Sequence, residues 1–195
     1  MAKPEVNMMQ QAAIPSALRD AASGVLVEVS HPNIDVDLLY ATENNFTGRV
    51  LYTDTRVWLH RDAAAALYRV ADHAASAELR LRLLDAFRPA AVQDMLWAVR
   101  PDPEFVADPK IGSDHTRGIA VDLTLVDREG RVLDMGTDFD AALPESHHGA
   151  VRIAQEAQRN RLLLAGLMSV AGFVINPFEW WHYALPNSGS YPLLD

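Results

Sequence analysis

Residues 112–125 read GSDHTRGIAVDLTL. Ile119, Val121, Leu123 and Leu125 share one face at the two-residue period of a strand, and Ala120, Asp122 and Thr124 share the other. Asp122 therefore points away from the main core, among small neighbours that leave room for something. An unpaired buried carboxylate costs on the order of several kcal/mol unless a cation, hydrogen bonds or a proton rescue it. His115 stands three residues before Gly118, where the chain can turn back and let both side chains converge. By itself this pair supports two readings: a strand-end Asp held by backbone donors beside a surface His, or two members of one site.

A second stretch, PFEWWHYAL at 177–185, bears on that choice. It carries Glu179 and His182, three positions apart, with Trp180 and Trp181 between them. A regular strand sends such a pair to opposite faces, so the turn at Pro177 must bend the chain if both are to reach one site. The tryptophans would wall off water.

The surrounding pattern is mixed. LVEVS (26–30) and DLLYAT (37–42) read as short strands, and residues 61–77 as an alanine-rich helix with Leu67, Val70, Ala71 and Ala74 on one face and Asp62 as its cap. Leu79, Leu81 and Leu83 alternate with Arg80 and Arg82 in a half-buried strand ending at Arg88-Pro89, and Pro89 opens the next helix. DREG (127–130) reads as a hairpin turn, with RVLDM returning beside the 118–126 strand. Residues 155–171 form the last long helix, Gly172 caps it, and residues 180–185 form the final strand. Without strict β-α alternation, the fold class is α+β with a small antiparallel sheet and helices packed on it. Residues 1–25 read as an N-terminal arm and 26–195 as a single domain.

Composition narrows the function. The chain of 195 residues has 26 acidic against 17 basic side chains, a formal net charge of -9. No basic stripe suits a nucleic-acid backbone. With no cysteine, disulfides, thiolate metal sites and a cysteine nucleophile are excluded. The longest apolar stretch, 162–175, is too short to span a bilayer, and the N-terminus lacks the apolar core of a secretory signal, so a cytoplasmic location is expected. Oligomeric state is not set by the sequence; a homodimer is compatible with it.

Any metal must then be held by His, Asp or Glu. His115, Asp122 and His182 together make a sulfur-free set of two imidazoles and one carboxylate, leaving a fourth position open on a tetrahedral zinc ion. Glu179 is placed to act as general base beside it. The same set describes non-haem Fe(II) oxygenases, but hydrolysis needs such a base and an oxygenase does not, which favours zinc.

These residues also carry a resemblance. SDHTRGIAVDLTL, FRPAAVQ, YATENNFTG, MGTDFD, SHHG and EWWHYAL are similar to the D-alanyl-D-alanine dipeptidases, over about Tyr40 to Tyr191. The resemblance implies one zinc ion per chain, ligands His115, Asp122 and His182, and Glu179 as base. It further implies Arg88 at the oxyanion, Asp140 at the substrate ammonium, and Ser113 and Tyr40 in the pocket. The implied fold is that of zinc D,D-carboxypeptidases and the hedgehog signalling domain, and the implied partner a small dipeptide. A D,D-carboxypeptidase acting on peptidoglycan precursors and a metal-holding module without turnover are the rival readings. Residue 114 is Asp where the family pattern suggests Ser or Asn. His147 and His148 read as helix-entry or interface residues, and His31, His60 and His73 as surface or ordinary structural residues.

Overall fold

The strand read from residues 118–126 is the middle of the main sheet. In the computed structural model, which describes residues 24–194, it runs as β5 over Ala120–Val126 with all seven residues buried. The expected alternation holds on one face, where Val121, Leu123 and Leu125 enter the core. The opposite face, with Ala120, Asp122 and Thr124, is covered as well.

The other strands are β1 (Leu26–Glu28), β2 (Ile34–Val36), β3 (Trp58–His60), β4 (Arg80–Asp85), β6 (Val174–Asn176) and β7 (Glu179–Ala184). The helices are α1 (Arg61–Ser76), α2 (Ala90–Val99) and α3 (Gln155–Val170). The main sheet has the order β2-β4-β5-β7-β6, and β1 and β3 pair separately. The architecture is the expected α+β, and the pairings are antiparallel except β2 with β4, which is parallel.

Several local readings need correction. The strand expected over 37–42 lies earlier, at Ile34–Val36, and Leu39–Ala41 form a 3-10 turn. The reason is local polar competition: Thr42 Oγ1 donates to Leu39 O, and the Asn45 amide donates to Leu39 O, Thr42 O and Arg49 O. That turn buries Leu38 and Tyr40. The return strand after DREG shrinks to a single bridge, Val126 with Val132, beside which Leu133 N–H donates to Leu125 O and Asp127 N–H to Arg131 O. Asp62 is not the cap of α1; His60 is, its Nδ1 accepting from Asp62 N–H, and Asp62 sits in the first turn where the helix dipole favours an acid. Strand β3 carried no sequence signal. The N-terminal arm falls outside the described residues, apart from Gly24 and Val25.

Gly172 (φ 97°) ends α3 as expected. Its N–H donates to Ser169 O and that of Phe173 to Met168 O, the paired bonds of a Schellman stop, and β6 follows at once. α1 packs on β4 and α3 through its buried alanine face. This leaves the ends of β4, β5 and β7 together at one edge of the core.

Candidate active site

Register delivers the first two side chains. Asp122 on β5 is the direct cross-strand partner of His182 on β7, and both project to the same face. His115 reaches them from the turn before β5. Gly118 there has φ 70°, and a Cβ would lie 2.8 Å from Leu26 Cδ2 and 3.0 Å from His60 N, so a side chain is excluded by both backbone and packing. His115 Nδ1 is 2.7 Å from Ala86 O, a bond that makes Nδ1 the protonated nitrogen and turns the Nε2 lone pair inward.

Four ligand atoms from three side chains then meet. His115 Nε2 is 3.1 Å from His182 Nδ1 and 3.3 Å from Asp122 Oδ2, and His182 Nδ1 is 3.0 Å from Asp122 Oδ1. A tetrahedron with bonds of about 2.0–2.1 Å has edges of about 3.3 Å, so this donor set fits one small dication such as zinc. Burial pushes the Asp122 carboxyl up, but the adjacent His115 and His182 override it and hold it far below the usual range. His115 is drawn the other way: burial lowers its pKa, and Asp122 more than compensates. The trio is built around shared positive charge.

Glu179 joins by an irregularity in β7. Pairing with β6 jumps from Ile175↔Tyr183 to Asn176↔Glu179, so residues 180–182 have no partner on that side. This bulge, rather than the turn at Pro177 alone, brings Glu179 and His182 to one site; Glu179 Oε2 is 3.9 Å from His182 Nδ1. The Asn176 amide donates to Glu179 Oε2 at 2.7 Å, and its Oδ1 accepts from Phe178 N–H, which fixes the amide's orientation. Burial first, then the charges of Asp122 and Asp140, raise the Glu179 carboxyl well above its usual range, the direction a general base working near neutrality needs.

Arg88 is buried beyond the end of β4. Its Nε and Nη2 donate to Asp85 Oδ2 at 3.0 and 2.6 Å, and Nη1 to Gln93 Oε1 at 2.9 Å. Its guanidinium lies 5.2 Å from the Tyr40 ring centre. The Tyr40 hydroxyl donates to Asp140 Oδ2 at 2.7 Å, and burial, then the Asp140 charge, keep that phenol protonated. Asp140 has φ 59°, a conformation that Asp tolerates better than most residues, and its carbonyl accepts from Arg100. Ser113 Oγ accepts from His115 N–H.

All eight side chains proposed from sequence (Tyr40, Arg88, Ser113, His115, Asp122, Asp140, Glu179 and His182) line one cleft of about 210 Å³. That is below the range of about 300–1,000 Å³ common for drug-sized ligands. Residues 103–107 wall one side.

A family model described as D-ala-D-ala dipeptidase (Peptidase_M15) matches residues 20–193. The chain belongs to this family. The D-alanyl-D-alanine dipeptidase of Escherichia coli K12 is 44% identical over 177 residues, covering 91% of this chain and 92% of that one. Its namesake from Enterococcus faecalis V583 is 34% identical, covering 76% and 84%. Among solved structures, the LdcB LD-carboxypeptidase overlaps 68% of this chain and 61% of its own at 18% identity and a TM-score of 0.43, too loose a likeness to carry an argument.

In this dipeptidase-family chain, the site includes residues that sequence reading passed over. Asp85, Tyr52 and Gln93 surround Arg88, and Asn176 holds Glu179. The D-x-x-R spacing from Asp85 to Arg88 at a strand end was the available signal for the first. Asp114 does not orient His115, since Ala86 O does so; it lies 3.9 Å from Arg117 and is a third exposed. His147 bonds Glu104 at 2.8 Å, and His148 is pushed down to about 4 by burial and then by Arg161. Neither belongs to the ligand group, which among the described residues is His115, Asp122 and His182. His31 stacks on Tyr68 and His60 caps α1. No helix among the described residues is long and apolar enough to cross a membrane.

Proposed function

We propose that this chain is a zinc-dependent peptidase that hydrolyses the free dipeptide D-Ala-D-Ala to two D-Ala. The observation that carries the reading is the meeting, in one small cleft, of a three-donor metal set, a raised buried carboxylate and a buried arginine. Family membership and the names of the relatives support the choice of substrate.

His115, Asp122 and His182 hold the metal, which when bound supplies a Lewis acid and a water acidified towards neutrality. Glu179 takes the proton of the attacking water as its oxygen adds to the peptide carbonyl. Arg88, held flat by Asp85 and Gln93, faces the oxygen that becomes negative. Glu179 then returns the proton to the departing amine, and the C–N bond breaks. Asp140 and Tyr40 receive the substrate ammonium at the far end, and Ser113 lines the wall. Recognition of a charged amine favours a free dipeptide over an acylated peptide, whose neutral amide would bring Asp140 no counter-charge.

The test is alanine release by the zinc-loaded protein from D-Ala-D-Ala, L-Ala-L-Ala and an N-acylated D-Ala-D-Ala. Release from the first alone is expected. Cleavage of the acylated substrate would move the chain to a carboxypeptidase reading, and silence on all three with zinc bound would leave a metal-holding module.

A further inference from the structure

Asp85 is fully buried, with 0% of its surface exposed, and has no step in the chemistry above. It lies behind the cleft, placed beside Asp122 by a second sheet irregularity. β4 pairs with β5 as Leu83↔Leu123 and then Asp85↔Asp122, so Leu84 is the extra residue of a bulge. The bulge sets two carboxylates side by side on neighbouring strands, at the one place where Arg88 can reach both.

Arg88 Nη2 lies between them. It is 2.6 Å from Asp85 Oδ2 and 3.8 Å from Asp122 Oδ2. The Tyr52 hydroxyl donates to Asp85 Oδ1 at 2.6 Å, which leaves Oδ2 turned to the guanidinium. Gln93 takes Nη1, and Nε is also on Asp85, so Nη2 is the atom whose partner decides where the cation sits. Asp122 Oδ2 is the oxygen 3.3 Å from His115 Nε2, within the proposed metal set.

We propose that Asp85 is a positioning residue that holds Arg88 off Asp122 and so keeps that carboxylate free for the metal. Without the Asp85 charge, the nearest anion to Nη2 is Asp122. A movement of about 1 Å closes that gap to a charge-assisted hydrogen bond. The guanidinium then competes with the dication for the same oxygen, and also turns away from the substrate carbonyl. One buried anion thereby lets a permanent cation and a dication share a site without exchanging ligands.

This inference rests on the zinc reading above for its ligand, and the experiment separates the two. Zinc affinity is measured by competition with a chromogenic chelator for wild type, Asp85→Asn, Arg88→Ala and the double variant, with folding followed by circular dichroism. Asp85→Asn is expected to bind zinc at least about tenfold more weakly, as outer partners of metal ligands do. Adding Arg88→Ala to it should return affinity to within about threefold of Arg88→Ala alone, since the competitor is gone. Wild-type-like affinity in Asp85→Asn overturns the inference, and so does a loss that persists in the double variant. A wild-type protein that binds no zinc overturns the metal reading itself. Should Asp85→Asn not fold, Asp85→Ser removes the same charge with a smaller side chain and carries the same comparison, its loss of affinity likewise reversed by Arg88→Ala.

Discussion

Two aspartates line the same cleft and are held in opposite states. Asp122 faces two imidazoles, with Arg88 beyond them, and its carboxyl lies far below the usual range despite burial. Among the described residues, the Asp140 side chain takes its hydrogen bond from the Tyr40 hydroxyl, and burial, with the charges of Asp122 and Asp85 adding to it, lifts it to about 7. The difference is where the compensating positive charge comes from. The fold supplies it to Asp122 through its own histidines and the ion they suit. On the function proposed here, Asp140 receives it from the substrate ammonium.

The largest effect should come from breaking the first member. Asp122→Ala removes a ligand outright, and zinc content by metal analysis should fall more than about 100-fold in affinity terms, beyond what outer partners cost. Alanine release should fall with it. A zinc-free Asp122→Ala protein with full activity would end the metal assignment. Glu179→Gln sharpens the contrast, because its carboxylate is raised like that of Asp140 yet stands beside the ligand set. It should keep zinc at wild-type stoichiometry and lose about 10²–10⁴ in kcat. Loss of zinc and turnover together would make Glu179 a ligand rather than a base.

Breaking the second member should leave both metal and base in place. Asp140→Asn is expected to raise KM by about 10- to 100-fold through the lost charged hydrogen bond, with kcat changed less. Its pH signature follows from linkage. The Asp140 pKa is raised in the folded chain, so its contribution to stability is full below the ordinary carboxylate range and is lost as pH rises through about 7. Wild-type Tm should therefore decline over that window by more than Tm of Asp140→Asn does. Substrate affinity should improve over the same window, as the carboxylate ionises, and the variant should lack that improvement. Parallel Tm profiles would show that Asp140 already titrates as an ordinary carboxylate.

The two aspartates also differ in how they could be read from sequence. Asp122 was legible because a strand period of two puts one carboxylate against a row of small residues, and because His115 and Gly118 sit at fixed spacing before it. Asp140 had no such pattern and entered through resemblance alone. The relations of Asp85 to Asp122 and of Glu179 to His182 depend on bulges in β4 and β7. Apolar alternation does not encode a bulge, since one inserted residue leaves the composition of a strand unchanged. The strand expected at 37–42 failed for a related reason: side-chain bonds from Thr42 and Asn45 outweighed β propensity and made the turn that carries Tyr40 to Asp140. Burial periodicity thus found the sheet, and local polar geometry decided what reached the cleft.

A third aspartate tests whether proximity alone confers a role. Asp114 adjoins His115 and lines the cleft, yet its carboxylate is 34% exposed and its charged neighbour, Arg117, is 3.9 Å away. An ion pair so screened is worth about 0–1 kcal/mol, and His115 takes its orientation from Ala86 O instead. Asp114→Ser should therefore leave zinc affinity unchanged and kcat/KM within about fivefold of wild type, the span of a screened pair. A larger drop in kcat/KM with zinc intact would place this carboxylate against the substrate. Cleft aspartates would then be distinguished by reach rather than by the positive charge the fold provides.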